Sequence, residues 1–90
     1  MATNLTFTKN SQNLWETSYS TTGERVALEI IRTSSGPLIV KGNVGGLNDV
    51  TIKDFGPGAP ADLLVDVDLP EGVSISIVSF TEVTSAKVSE

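Results

Sequence analysis

Apolar and polar residues alternate with a period of two along most of this 90-residue chain, the periodicity of strands with one buried face. The clearest stretch is residues 62 to 80. Leu63, Val65, Val67 and Leu69 alternate with Asp62, Leu64, Asp66 and Asp68, and Pro70-Glu71-Gly72 follows. That tripeptide suits a three-residue hairpin loop: proline sets φ at the first turn position, and Gly72 can adopt the left-handed conformation of a bulge. With Leu69 facing Val73, the register predicts Val67 opposite Ile75, Val65 opposite Ile77 and Leu63 opposite Ser79. One face is then apolar and turned to the core. The other pairs Asp68 with Ser74 and Asp66 with Ser76, then turns apolar at Leu64–Val78 and Asp62–Phe80.

The same period carries through the rest of the chain. Leu5 and Phe7 alternate with Thr6 and Thr8, predicting a strand over residues 3 to 9. After the polar break at residues 9 to 13, residues 13 to 20 form a second strand, with Trp15, Thr17 and Tyr19 on one face and Leu14, Glu16 and Ser18 on the other. Helix competes with strand only over residues 25 to 33, where Thr21-x-x-Glu24 matches a capping box. Val26, Leu28, Ile30 and Arg32 keep the strand period, however, and Gly23 sits where a first helical turn would be, so a strand is expected.

Ser34-Ser35-Gly36-Pro37 is a turn. Residues 38 to 44 and 47 to 53 are strands joined by a tight connection at Gly45-Gly46. The prolines of Phe55-Gly56-Pro57-Gly58-Ala59-Pro60 cannot donate to a central ladder, so this segment is a loop or a crossover between sheets. Residues 83 to 88 make a last strand, at an edge. Seven or eight short strands at this spacing predict an all-β fold, a small antiparallel β-sandwich or barrel, as one domain over residues 1–90.

Composition narrows the function by exclusion. The chain has no histidine and no cysteine, which removes the commonest general base, the cysteine nucleophile, thiolate metal sites and any disulfide framework. The formal net charge is −5, and the six Lys and Arg residues are scattered. A nucleic-acid surface needs them clustered. A basic membrane-surface helix is excluded on the same grounds, and no apolar run is long enough to span a bilayer. The residues after Met1 lack a basic segment followed by an apolar one, so no secretion signal is expected and synthesis in a cytoplasm is.

Each candidate site has a plainer alternative. Asp62, Asp66, Asp68 and Glu71 cluster in sequence, but a calcium site needs six to eight converging oxygens, and alternate residues on a strand diverge. A solvated, charge-blunted sheet face is the expectation, with no metal and no cofactor. No serine has a histidine partner and no nucleophile elbow occurs, so no catalytic residues and no enzyme are expected. Gly42-Asn43-Val44-Gly45-Gly46 and Gly56-Pro57-Gly58 lack the strand–loop–helix context of a phosphate cradle and are turns. Trp15 and Tyr19, two pleats apart on one strand face, are core, a protein interface or a platform for a sugar ring. Leu64, Val78 and Phe80 form an apolar patch away from the expected core. Either the chain end or the 55–60 loop covers it, or it docks on another chain.

In length, in its start at Met1 without a leader, and in short Thr/Val/Ile strands such as residues 73 to 80, the chain resembles by type the capsid auxiliary (decoration) and minor virion proteins of tailed bacteriophages. The resemblance implies a non-enzymatic protein, made in the host cytoplasm and located on the virion, bound in many copies to a protein assembly, a capsid or another multi-copy surface. A homo-oligomer is compatible with it. Partners in nucleic acid or membrane are not expected. The alternative is a carbohydrate-binding or cell-surface adhesion module, or a protein that stays in the cytoplasm.

Overall fold

Most of the predicted period-two stretches become strand in the computed structural model, which describes residues 2–20, 25–44, 47–68 and 74–89. Among these residues there are nine strands and no helix. They are β1 (Ala2–Asn4), β2 (Thr8–Lys9), β3 (Trp15–Ser20), β4 (Arg25–Arg32), β5 (Leu38–Val44), β6 (Leu47–Asp54), β7 (Asp62–Asp68), β8 (Ser74–Ser79) and β9 (Val83–Ser89). Residues 25 to 32 are strand, as their parity predicts; the Thr21–Glu24 capping box lies outside the described residues.

The strands form two antiparallel sheets, of order β1-β9-β4-β7 and β2-β3-β8-β5-β6. First pairs with last and the pairing nests inward: β1 with β9, β3 with β8, β4 with β7, β5 with β6. This is the winding of a jelly roll, a long antiparallel ribbon rolled into a two-sheet sandwich, with β2 added at the edge of the second sheet. Val44 pairs with Leu47 at the tip of the ribbon, as the expected tight hairpin requires; Gly45 and Gly46 themselves lie outside the described residues.

The predicted hairpin of residues 63–69 and 73–79 is not formed. β7 pairs with β4, setting Val67 opposite Val26 and Val65 opposite Leu28. β8 belongs to the other sheet, where Ile75 lies between Tyr19 and Gly42, and Ile77 between Thr17 and Val40. Alternation fixes which face of a strand is buried, but leaves open which strand lies beside it. Two amphipathic strands can hide their apolar faces side by side in one sheet or face to face from two, and the chain takes the second course. The Pro70-Glu71-Gly72 loop lies outside the described residues.

Two smaller expectations also change. The strand expected over residues 3 to 9 is divided, β1 joining one sheet and β2 the other, while Phe7 between them is buried in the core. β9 is internal rather than an edge, because β1 covers its outer side.

The core lies between the sheets and is mainly aliphatic, with Phe7 as its buried aromatic residue among those described. Val26, Leu28, Ile30, Val65, Val67, Ala86 and Val88 come from the four-stranded sheet, and Leu38, Val40, Ile75 and Ile77 from the other. The 55–60 segment connects β6 in one sheet to β7 in the other, the crossover its prolines predict. Asp54 Oδ1 accepts the Gly56 amide at 2.8 Å, and Gly56 takes φ of 70°, a left-handed turn suited to glycine.

At this end of the sandwich the last inward position of β4 is Arg32, only 4% exposed. Its five N–H donors all find acceptors: Nε the Ala61 carbonyl, Nη1 the Pro37 carbonyl and the Ser79 hydroxyl, and Nη2 the carbonyls of Ala59 and Pro60. Among the described residues no carboxylate pairs with it, and burial pushes its pKa below the ordinary arginine value. The guanidinium ties the β4–β5 and β6–β7 connections to the end of β8.

Candidate functional site

With the core closed between the sheets, the chemistry open to a partner is on the two outer faces. On β4 the outward positions are Arg25, Ala27, Glu29 and Ile31; on β7 they are Asp62, Leu64, Asp66 and Asp68. The register sets Glu29 opposite Leu64 and Ile31 opposite Asp62, so Ile31 and Leu64 meet diagonally. Leu64 is 80% exposed and Ile31 36%. With Glu29 and Asp62 they line an open concavity of about 370 Å³. Asp66 is two positions further along β7, and Lys87 on β9 lies opposite Glu29.

Asp66 and Asp68 are exposed on this face, and Arg25 Nε donates to Asp68 Oδ1 at 2.9 Å. The Arg25 pKa is raised by that hydrogen bond first, then by the charges of Asp68 and Asp66. The described residues contain no group of three or more acidic side chains placed to hold a metal ion. β7 is an edge strand, and three outward aspartates charge its open side.

The outer face of the five-stranded sheet is different in kind. Val78 on β8 lies between Glu16 on β3 and Ile39 on β5, while Ser76 lies between Ser18 and Lys41. Leu14 and Phe80 complete a concavity of about 250 Å³. A second, of about 260 Å³, adjoins it, sharing Glu16 and Ser76 and adding Thr8, Thr17 and Ser18. Above the first, Asn10 Oδ1 accepts the amides of Gln12 and Leu14 at 2.9 and 3.1 Å. These bonds hold the β2–β3 turn, in which Asn13 takes a left-handed φ of 63°; asparagine tolerates that region better than most residues.

The patch expected from Leu64, Val78 and Phe80 is therefore divided. Leu64 is on the outer face of one sheet, Val78 and Phe80 on that of the other, because β7 and β8 are not neighbours. Phe80 is 45% exposed, and neither the 55–60 loop nor the chain end buries it or Leu64. Trp15 and Tyr19 are half-buried on the inward side of β3, opposite Ser79 and Ile75, and pack on the core. The Lys9 ammonium lies 5.9 Å from the Trp15 ring centroid. An exposed platform of these two rings is not what they form.

Ile31, Ile39 and Leu14 are outward apolar residues that lie outside the expected patch, and parity marks each of them. Ile31 is out of phase with Val26, Leu28 and Ile30, Ile39 with Leu38 and Val40, and Leu14 with Trp15. An apolar residue at an outward position is the signal. Comparison with protein-family models, with curated proteins and with solved structures finds no match.

Proposed function

We propose that this chain is a non-enzymatic interaction protein that docks on an assembled, multi-copy protein surface, such as the exterior of a capsid, through the outer face of its four-stranded sheet. The observation that carries the reading is Leu64, 80% exposed beside Ile31 and rimmed by Glu29, Asp62 and Asp66. Burying such a centre gains on the order of 25 cal/mol per Å². The acidic rim selects the partner: a second copy of this face would set carboxylates against carboxylates, whereas a basic surface complements it. The non-enzymatic part rests on the inventory, which holds no histidine and no cysteine.

On this reading the chain is made in the host cytoplasm and ends on the virion. The test is mass-spectrometric composition of particles purified by density gradient from the source culture. Many copies of the chain per particle would support the proposal. Abundance in the lysate with absence from the particles would contradict it.

A further inference from the structure

We infer that the trough on the outer face of the five-stranded sheet is a binding site for a neutral saccharide, with one sugar ring seated against Phe80. This goes beyond the docking reading and does not rest on it, since the trough lies on the opposite face of the sandwich.

Three observations lead there. The first is shape. Two adjoining concavities of about 250 and 260 Å³ make an elongated depression in the face of the sheet, and small-ligand sites are concave in this way, about 300–1,000 Å³ in volume. Its floor is β8, already paired on both sides with β3 and β5. A peptide could not add there as a further strand, because the main-chain groups it would need are taken.

The second observation is the lining. Ser76, Ser18 and Thr8 present hydroxyls that both donate and accept. Asn10 commits its Oδ1 to two amides of the turn, so the group it offers to the trough is its NH₂ donor. A row of mixed donors and acceptors matches a ligand whose edge is itself a row of hydroxyls. The apolar part, Leu14, Ile39, Val78 and the half-exposed ring of Phe80, matches the C–H face that a pyranose presents beside that edge. A partly exposed aromatic ring suits such a contact.

The third is charge. Glu16 and Lys41, on the strands flanking β8, line the trough with opposite signs, and neither is in an ion pair among the described residues. Their charges cancel, so the site favours a neutral ligand, and each can hydrogen-bond a hydroxyl more strongly than a neutral group would. A polyanion would meet Glu16 and gain only Lys41.

The experiment titrates the full-length ¹⁵N-labelled chain with maltotriose, cellotriose and N-acetylchitotriose at millimolar concentration, followed by amide shifts. At least one saccharide should saturably move the amides of Glu16, Lys41, Ser76 and Phe80 and leave those of Ile31 and Leu64 in place. Phe80→Ala should weaken that binding at least tenfold and Phe80→Tyr should retain it, both with the wild-type spread of amide shifts. Should Phe80→Ala fail to fold, Glu16→Gln and Lys41→Gln give the same reading on a folded chain. The inference is overturned by no response to any of the three sugars, by shifts confined to another face, or by unchanged affinity in these variants. A response of the same amides to an apolar peptide alone would overturn it too, making the trough a peptide site.

Discussion

Arg32 Nη1 donates a 3.2 Å hydrogen bond to the hydroxyl of Ser79, joining β4 of one sheet to β8 of the other. The same hydroxyl donates to the Thr81 carbonyl at 2.7 Å. A buried guanidinium without a counter-ion is costly, and here full use of its donors offsets the cost. Most of its acceptors have a second partner. The Ala61 carbonyl also accepts the Arg32 amide, Ala59 that of Gly36, and Pro37 that of Phe80.

Arg32→Met should therefore be milder than Arg32→Ala. Methionine keeps most of the packing volume and leaves mainly Pro60 without a donor, a loss of about 1–3 kcal/mol. Alanine adds a cavity and should cost about 3–5 kcal/mol. Urea denaturation of the two variants measures the difference; equal losses would show that packing of the stem contributes nothing.

Gly36 sets a second test at the same end. A Cβ added there would stand 2.9 Å from the Thr81 Cγ2 methyl, while Thr81 Oγ1 donates to the Ser34 carbonyl at 2.9 Å and holds the side chain in place. Gly36→Ala should cost about 1–3 kcal/mol as overpacking. Thr81→Ser removes the methyl and keeps the hydroxyl. In that background Gly36→Ala should cost clearly less, a coupling a double-mutant cycle reads out.

Ile75 and Ile77 are the most buried residues of β8 that carry large side chains. Ile75→Ala should cost about 2–5 kcal/mol, a large share of the stability of a domain this small. A denaturation midpoint close to wild type would mean that the two sheets are not packed through this strand.

The Arg25–Asp68 pair should behave in the opposite way. Its side chains are 70% and 79% exposed, so solvent screens the attraction. Asp68→Asn should leave the melting temperature nearly unchanged at neutral pH. The raised pKa of Arg25 has its own pH signature: what it contributes is present below the ordinary arginine value and is lost as pH rises through the raised one. A drop of several degrees in Asp68→Asn would contradict this.

Parity made the core legible before the structure: Val26, Leu28 and Ile30, Val65 and Val67, and Ile75 and Ile77 are all buried. It also put Arg32 inward, although a lone arginine on an apolar face says nothing of the carbonyls waiting for it, which come from the turn just after β4 and from a loop nearly thirty residues away. Neighbourhood was the part parity could not supply. Residues 62–68 and 74–79 alternate equally well as a hairpin or as facing layers. What favours the layers is the partner β7 has in β4, where Arg25 meets Asp68 and Val26 meets Val67. The surface followed from that: once β7 and β8 part, Leu64 leaves Phe80 and joins Ile31.

Incorporation into assembled particles decides between an adhesive face and an incidental one. Leu64→Asp changes an 80% exposed side chain, so the isolated domain should stay folded, with wild-type amide dispersion. Its incorporation into gradient-purified particles, in competition with the wild-type chain, should fall by about tenfold or more. Glu16→Gln, on the opposite face, should incorporate normally. Wild-type incorporation of a folded Leu64→Asp would contradict docking through the four-stranded sheet.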